Sequence, residues 1–513
     1  MKYFSTRVGE QQLSFEEAVL TGLAPNGGLY IPEYIPSLPP NWSNDWKDYS
    51  FVEISIAVLS LYVTPDEISP FDLRALVEKS YQTFRHPDVT PLKKVDDKLY
   101  ILELFHGPTF AFKDVALQLL GNLFEFFLAR RNTQKSPQQK PETLTVVGAT
   151  SGDTGSAAIY GLRNKANISI FILHPKGRVS PIQEAQMTTV LDANVHNVAV
   201  CGTFDDCQDV VKALFSDKEF NAKYHLGAVN SINWARIMAQ TTYYFLSFFH
   251  FRRQLPPGTN FEDIELQYVV PTGNFGDVLA GYYAKKMGLP IGRLVVATNE
   301  NDILARFWRS GKYEKADSTL GGSDWNVKET HSPAMDILVS SNFERLLWYL
   351  AYETASGSSF PEKRSAACAS VSRWMSQLKA DGLTEVPVTV LEAARVDFMA
   401  ERVSNQQTLD TIRRYFASSP SYIADPHTAV GLAAADAVAQ NNFANVYQIV
   451  LSTAHPAKFS EAVSQALESS CDFDFERDVL PQEFRGLLQK EKRIIQVERP
   501  DVELVKAVIE RSC

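Results

Sequence analysis

One pattern constrains the fold of this chain more than any other. A short apolar or β-branched run, a loop of small polar residues and a helical stretch follow one another three times, over 144–163, 266–287 and 446–467. This order is typical of a parallel sheet that is covered by helices on both faces. Because ligands bind beyond the carboxyl ends of such strands, the sequence predicts that the three loops face one cleft.

The loop of the second unit has the composition of a phosphate site. Its glycines let backbone N–H groups approach an anion, and the helix that follows presents a partly positive N-terminus. The candidate residues are Gly273, Asn274, Phe275, Gly276 and Asp277. A plain strand-to-helix turn with Asp277 as N-cap explains the same residues equally well. The spacing matches neither a Walker loop nor Gly-x-Gly-x-x-Gly.

The loops of the other two units offer hydroxyl groups. Ser151, Asp153 and Thr154 lie where a helix is predicted to begin and can hold a carboxylate or a phosphate, although helix capping accounts for them about as well. Thr453 follows a buried strand, where its hydroxyl either faces a ring nitrogen or satisfies a nearby backbone group. Arg178 lies in a basic turn, where it either contacts an anion or is simply solvated.

A lysine opens a very apolar helical stretch. Lys113 precedes 115–128, in which three polar residues form a narrow stripe at helical spacing, so this helix is predicted to be nearly enveloped by protein. An ammonium group in such a place loses its charge more readily than one on the surface. This suits an amine that forms an imine with a carbonyl, as lysines that bind pyridoxal phosphate do. The alternative is a structural lysine that extends from a buried helix toward solvent.

Composition excludes several classes of function. The net charge of −10 argues against nucleic acids and anionic membrane surfaces as partners. The 513 residues contain no apolar run long enough to span a membrane, and the N-terminus lacks a secretory signal. Five scattered cysteines fit neither a metal site nor a disulfide framework, so we expect no metal and a reducing compartment, the cytoplasm.

The sequence resembles the threonine synthase family, in the longer form found in fungi and some bacteria. The resemblance extends from the first 20 residues almost to the C-terminus. The matching stretches are 14–18, 104–114, 149–155, 177–187, 229–234, 273–277, 332–336, 425–427 and 451–459.

The resemblance implies an α/β enzyme that depends on pyridoxal phosphate. Its fold would be tryptophan-synthase-β-like, fold type II, with parallel sheets flanked by helices. The helical appearance of 1–95 predicts an N-terminal, mostly helical domain. The catalytic region, 96–513, would consist of two α/β subdomains, the smaller one roughly 142–255, with the active site between them.

The resemblance also implies roles for the candidate residues. Lys113 would bind the cofactor and move protons on the substrate, Gly273 to Asp277 would hold the cofactor phosphate, and Thr453 would face the pyridine nitrogen. Asn230 or Asn233 would contact the phenolic oxygen of the ring. The expected substrate is O-phospho-L-homoserine, and the expected products are L-threonine and phosphate. Four residues are candidates for holding its carboxylate or phosphate: Ser151, Asp153, Thr154 and Arg178.

Two alternatives stay open at this point. A serine/threonine dehydratase or a phospholyase of the same fold would share Lys113 and the phosphate loop. A non-catalytic protein that binds pyridoxal phosphate would be expected to lose Lys113 or the loop glycines, and both are present. Nothing in the sequence indicates an obligate protein partner.

Overall fold

The computed structural model describes residues 1–9, 11–256, 258–316 and 326–512. In chain order, the strands are β1 (Tyr3–Ser5), β2 (Gln12–Leu13), β3 (Tyr30–Pro32), β4 (Leu92–Lys94), β5 (Leu99–Glu103), β6 (Leu144–Ala149), β7 (Ile168–Pro175), β8 (Val195–Val200), β9 (Leu226–Gly227), β10 (Glu265–Pro271), β11 (Leu294–Thr298), β12 (Lys312–Glu314), β13 (Leu383–Glu385), β14 (Phe398–Arg402), β15 (Val446–Ser452) and β16 (Ile495–Val497).

The α-helices, in the same order, are α1 (Phe15–Thr21), α2 (Trp42–Asp45), α3 (Phe51–Leu59), α4 (Pro70–Tyr81), α5 (Lys113–Thr133), α6 (Asp153–Leu162), α7 (Pro181–Thr188), α8 (Phe204–Ser216), α9 (Lys218–Tyr224), α10 (Trp234–Gln254), α11 (Gly276–Met287), α12 (Ile303–Ser310), α13 (Phe343–Thr354), α14 (Phe360–Asp381), α15 (Val388–Asp397), α16 (Asn405–Phe416), α17 (Pro426–Ala439), α18 (Ser460–Leu467), α19 (Phe475–Asp478) and α20 (Val502–Ser512). Short 3-10 helices occupy Phe261–Asp263, Pro333–Met335, Pro456–Phe459, Gln482–Phe484 and Leu487–Gln489.

Two larger sheets organise the molecule. One sheet, in the order β14-β11-β10-β15-β5-β4, is parallel except for its edge strand β4. The other, in the order β16-β8-β7-β6-β9, is parallel throughout. Helices pack on the faces of both sheets, which confirms the predicted α/β architecture with parallel sheets flanked by helices.

The smaller sheet is completed by the end of the chain. Strand β16 pairs with β8, with Gln496 opposite Ala199. Helix α20 buries Val505 and Ile509 in the same apolar cluster as Phe171 of β7. The smaller sheet therefore combines strands of the region 144–227 with a strand from the C-terminal segment.

A third sheet lies near the N-terminus. Strands β2, β1 and β3 pair antiparallel in that order, with Phe4 of the central strand opposite Gln12 and Ile31. In the chain, helix α1 lies between β2 and β3, and helices α2 to α4 follow β3. The sequence pattern did not indicate this sheet, because strands of two or three residues are too short to establish an alternation of polar and apolar residues.

The three predicted strand–loop–helix units are all present. They correspond to β6–α6, β10–α11 and β15 followed by α18. The first two helices begin earlier than the sequence pattern indicates, at Asp153 rather than Ser156 and at Gly276 rather than Val278, and a 3-10 turn, Pro456–Phe459, precedes the third. The polar loops between strand and helix are correspondingly shorter.

Helix α5 is enveloped by protein, as its composition predicts. Residues 114–124 are all buried, and the polar stripe is buried at Gln118 and Asn122 and half-buried at Glu125. Asn122 donates a hydrogen bond to Ser80 Oγ at 2.8 Å, and Glu125 accepts from Lys79 at 2.8 Å. Within the described residues, no helix combines the length and the apolar composition that crossing a membrane requires.

Helices α5 and α6 cross with almost no space between their backbones. A Cβ atom at Gly121 of α5 would overlap the carbonyl oxygen of Gly161 in α6. A Cβ atom at Gly161 would in turn meet the carbonyl oxygen of Leu117. This crossing sets the distance between the two helices whose first turns carry Lys113 and Asp153.

We predict that Gly121→Ala destabilises the protein. Alanine normally favours a helix over glycine by about 1 kcal/mol, but here the added methyl must separate two backbones, which costs about 1–3 kcal/mol or more. Thermal unfolding should show a lower melting temperature. Gly148→Ala is the matched control, because its Cβ would lie 3.5 Å from Ile172 Cδ1, an ordinary contact. Equal melting temperatures for the two variants would contradict the prediction.

Candidate active site

Lys113 is the first residue of α5 and has an unengaged amine. Its Nζ lies 5.0 Å from the centre of the Phe112 ring, and it has no hydrogen-bond or ion-pair partner among the described residues. Burial lowers the pKa of Lys113 to about 8; Asp153 opposes this lowering, whereas Arg236 and Lys458 add to it. A much larger fraction of this amine is therefore neutral near physiological pH than for a surface lysine.

The end of strand β15 runs beside the loop that leads into α5. The N–H of Phe112 donates to the carbonyl of Thr453 at 2.8 Å, and the N–H of His455 donates to the carbonyl of Phe110 at 3.1 Å. Thr453 is buried and lies next to the residue that precedes Lys113. The backbone thus brings these two predicted site residues together.

A buried cluster surrounds Asp153 at the start of α6. Its Oδ1 accepts hydrogen bonds from Gln183 Nε2 and Lys458 Nζ, both at 2.7 Å. Burial opposes ionisation of this carboxyl, but the charges of Lys458 and Lys113 lower the pKa of Asp153 to about 2. Lys458 is 1% exposed, and its Nζ also donates to the carbonyl of Thr109 at 2.7 Å. Asp153 is therefore a charged group whose Oδ1 already accepts two hydrogen bonds.

Sequence reasoning did not single out Lys458 or Gln183. Both lie within stretches that match the family, 451–459 and 177–187, but a lysine or glutamine in sequence is usually exposed. Arg236 was missed for the same reason. It is buried, and its Nε has no hydrogen-bond partner in the part of the chain that the structure describes.

The other residues of the first loop keep their hydroxyls free. Ser151 is exposed, Thr154 is half-buried, and neither hydroxyl bonds to a described residue. Thr150 shapes the loop instead, since its Oγ1 accepts from the N–H groups of Gly152 at 3.1 Å and Gly155 at 2.9 Å. Helix α6 begins after Gly152 without a side-chain cap, so capping by Asp153 or Thr154 does not explain this loop.

Arg178 lies farther along the same edge of the smaller sheet. Its N–H donates to the carbonyl of Pro175 at 3.2 Å, in the turn between β7 and α7. The side chain is exposed, and its charge contributes to lowering the pKa of Asp206, after hydrogen bonds from Thr203. No contact joins Arg178 to Asp153 or Lys113 in this structure.

The second loop is fastened through its carbonyl groups. Ser340 Oγ donates to the carbonyl of Gly273 at 2.6 Å, and the N–H of Asn342 donates to that of Asn274 at 3.1 Å. A Cβ at Gly273 would lie 2.8 Å from the carbonyl of Ala334, so only glycine fits. Phe275 is the N-cap of α11, with a positive φ of 62° and no side-chain cap. The first N–H groups of α11 therefore stay available to an anion.

The Asp277 side chain turns away from this loop into the protein. Its Oδ1 accepts hydrogen bonds from Tyr243 at 2.5 Å and Tyr244 at 3.2 Å, both on α10. Its Oδ2 has no partner among the described residues, and burial raises the pKa of Asp277 to about 7. Asp277 is not the N-cap of α11, so the capping alternative does not hold here either.

The two candidate asparagines differ in their freedom. Asn233 caps α10, accepting from the N–H of Ala235 at 3.1 Å and donating to the carbonyl of Val19 at 2.8 Å. Asn230 is exposed, and no described residue accepts from its side chain. Asn230 is thus the one of the pair that is free to contact a ligand.

These residues fit a phosphorylated aldehyde cofactor. Helices α5, α6 and α11 all begin without a side-chain cap, so side chains do not occupy their first N–H groups. An unengaged amine opens the first, and glycines lie at the starts of the other two. In the described ranges, no three His, Cys, Asp or Glu side chains lie together where they could hold a metal ion.

We predict that Asp277 makes stability fall as pH rises. The folded-state pKa, about 7, lies above the ordinary value of 3.8, so between these values the folded protein retains a proton that the unfolded chain has lost. The free energy of unfolding should decrease by up to about 1.4 kcal/mol per pH unit across this window. Asp277→Asn should remove this contribution, as measured by urea unfolding of cofactor-free protein at about pH 5 and pH 7.

Asp209→Asn provides the control, since Asp209 is exposed and pairs only with Lys212 at 2.8 Å. It should keep the pH dependence of the unmodified protein. An unchanged slope in Asp277→Asn would show that this carboxyl ionises normally.

Three family models cover most of the chain. The model described as "Threonine synthase N terminus" matches residues 2–81. "Pyridoxal-phosphate dependent enzyme" matches 83–453, and "Threonine synthase, C-terminal" matches 428–509.

Curated proteins and solved structures give the same result. The chain is 57% identical to the threonine synthase of Schizosaccharomyces pombe, covering 99% of this chain and 98% of the relative. It resembles the crystal structure of threonine synthase from yeast with a TM-score of 0.92 and 52% identity, covering 100% and 98% of the two chains. The pyridoxal phosphate-bound threonine synthase of Brucella melitensis has a TM-score of 0.86 and 40% identity, with coverage of 100% and 99%.

Proposed function

The chain belongs to the threonine synthase family, and we propose that it converts O-phospho-L-homoserine and water to L-threonine and phosphate, the last step of threonine biosynthesis. The observation that carries this proposal is the amine of Lys113, which has a lowered pKa and no partner among the described side chains. The whole-chain match favours this reaction over that of a dehydratase or a phospholyase.

Pyridoxal phosphate, when bound, withdraws electrons from the carbon next to the substrate's amino group and so makes the protons there acidic. In our proposal, Lys113 holds the cofactor's aldehyde carbon covalently. The loop from Gly273 to Asp277 holds the phosphate through backbone N–H groups at the start of α11. Thr453 faces the pyridine nitrogen. A hydroxyl there cannot keep this nitrogen protonated as a carboxylate would. Control of where protons are removed and added therefore depends more on Lys113.

Lys113 then serves as the group that moves protons. Once the substrate's amino group has displaced it from the cofactor's aldehyde carbon, its Nζ would take the substrate's α-proton and later a β-proton. The phosphate would leave the γ-carbon, and a proton would be added there. The hydroxyl of water would then add at the β-carbon, and a proton would return to the α-carbon. A base of this kind works best when its pKa is near the working pH. The lowered pKa of Lys113, about 8, supports this role.

We assign the substrate's anionic groups to the start of α6. Ser151 and Thr154 have free hydroxyls there, and the helix start supplies N–H groups. Asp153 contributes through its backbone, because its carboxylate is engaged by Lys458. Arg178, in the exposed turn before α7, stays a prediction as an additional contact for an anion.

We also propose how the chain is divided into domains. An N-terminal region, 1–95, supports two α/β subdomains in 96–513, the smaller one roughly 142–255 with the C-terminal strand added to its sheet. The contact between Lys458 and Asp153 supports a site between them. We propose that no obligate protein partner is needed, since all proposed site residues belong to this chain. A cytoplasmic location is supported by the four described cysteines, all free thiols.

The decisive experiment combines a spectrum with a product assay. The purified protein should show the absorbance of pyridoxal phosphate bound to lysine and release threonine and phosphate in equal amounts from O-phospho-L-homoserine. Phosphate with a 2-oxo acid instead of threonine would assign the chain to a phospholyase. A protein that takes up no pyridoxal phosphate would refute the cofactor assignment.

We predict that Lys113→Ala removes both the lysine-bound absorbance and the turnover. Loss of the proton-moving base alone should reduce kcat by about 10²- to 10⁴-fold, and loss of the covalent attachment should reduce it further. Lys79→Ala is the control, because Lys79 is exposed and pairs with Glu125. Retained threonine formation in Lys113→Ala would exclude this lysine as the base.

Ser151→Ala and Thr154→Val should each raise the KM for O-phospho-L-homoserine. Each removes one hydrogen bond to a charged group, which is worth about 1.5–3 kcal/mol, or roughly tenfold and more in affinity. Cofactor absorbance should not change. Thr189→Val is the control, since that hydroxyl donates to the carbonyl of Ala185 at 2.7 Å within α7. An unchanged KM with weaker cofactor binding would instead place these hydroxyls at the cofactor.

A further inference from the structure

One buried carboxylate is bonded to one lysine and interacts electrostatically with a second. Lys458 Nζ lies 2.7 Å from Asp153 Oδ1, with both side chains buried. Lys113 is electrostatically coupled to Asp153 but forms no ion pair with any described residue. The lysine proposed to react is thus the one that the carboxylate leaves free.

The two oxygen atoms that accept hydrogen bonds from Lys458 each accept a second one from a glutamine of helix α7. Gln183 donates to Asp153 Oδ1 at 2.7 Å, and Gln186 donates to the carbonyl of Thr109 at 3.2 Å. The two glutamines are three residues apart and so lie on one face of α7. Lys458 therefore occupies a site that is built for its ammonium group, between α6 and the loop that leads into α5.

The nearby Asp114 is not available to Lys113 in the same way. Its two carboxyl oxygens accept from the N–H and the hydroxyl of Thr109, both at 2.7 Å. Burial raises the pKa of Asp114 to about 6 despite these bonds. The charged groups with the largest influence on Lys113 are then Asp153, which attracts a proton to it, and Arg236 and Lys458, which repel one.

We propose that Lys458 is a positioning residue that occupies Asp153 and thereby leaves the Lys113 amine without an ionic partner. The inference rests on the proposed role of Lys113 as the cofactor lysine. Without Lys458, the buried Asp153 carboxylate would have no positively charged partner. Protonated Lys113 would then pair with it. The amine would then stay charged and unreactive over the physiological pH range.

The test is the reaction of Lys113 with added pyridoxal phosphate, in full-length protein from which cofactor has been removed. The neutral amine bonds to the aldehyde carbon, and water leaves. Borohydride reduction traps the product, and peptide mass spectrometry quantifies modification of Lys113. The rate is measured between about pH 6 and pH 10, a range that contains both the lowered midpoint expected for Lys113 and a shift of about one pH unit above it.

The unmodified protein should give a profile with its midpoint near pH 8, the pKa of Lys113. Lys458→Met should move this midpoint upward by about one pH unit or more, which slows the reaction about tenfold or more near pH 7. Lys458→Arg should keep the midpoint close to that of the unmodified protein, because arginine again supplies a positive partner for the Asp153 carboxylate. A loss of packing alone would not move the midpoint and would not be rescued by arginine.

Two further variants isolate the carboxylate. Lys492→Met removes a lysine 3.8 Å from Glu184 of α7, away from Asp153, and should leave the profile unchanged. The double variant Lys458→Met/Asp153→Asn leaves no unpaired buried charge at this site, so it also guards against misfolding of the single variant. Its midpoint should lie below that of Lys458→Met, because the anion that would capture Lys113 is absent.

The outcomes distinguish failure of the proposed function from failure of the role inferred for Lys458. Absence of the Lys113 adduct in the unmodified protein would refute the proposed function. An adduct whose pH profile is the same in Lys458→Met as in the unmodified protein would overturn the inference and leave the function intact. A double variant whose midpoint is as high as that of Lys458→Met would also overturn it, since Asp153 would then play no part.

Discussion

The buried ion pair between Lys458 and Asp153 is the contact on which the arrangement of the site depends. It joins the segment that follows β15 in the larger sheet to the first turn of α6 beside the smaller sheet. A buried pair of this kind is strongly destabilising when one partner is lost, because the other charge stays in the interior. Both ends must therefore reach the interior together, and the helix starts that surround Lys113 are fixed in the same event.

Local pattern was enough to predict the units that build the two sheets, because each strand, loop and helix carries its own signal in neighbouring residues. It failed where partners are distant in sequence. Nothing near β16 indicates that it pairs with β8, and the strands β1 to β3 are too short to show alternation. A lysine such as Lys458 is exposed in most proteins, so its burial follows only from the contacts that surround it.

The candidate site illustrates the same limit at the scale of single residues. The local pattern drew attention to Lys113 and to the loop at Gly273, but capping and ligand binding predict the same residue types at a helix start. Only the backbone separates them: α6 begins three residues and α11 two residues earlier than the pattern indicates, both without side-chain caps. Sequence reasoning also could not predict the direction of a side chain. Asp277 is an example, because it turns toward α10.

Strand β16 and helix α20 have a consequence for biosynthesis. A ribosome makes the chain from its N-terminus, so β6, β7 and β8 emerge long before the segment that covers β8. Until then β8 presents an unpaired edge and the surface under Val505 and Ile509 stays open to solvent. Such an edge is a site of aggregation in a growing chain. The edge of β8 and the surface beneath α20 therefore need protection until the C-terminal segment has been made.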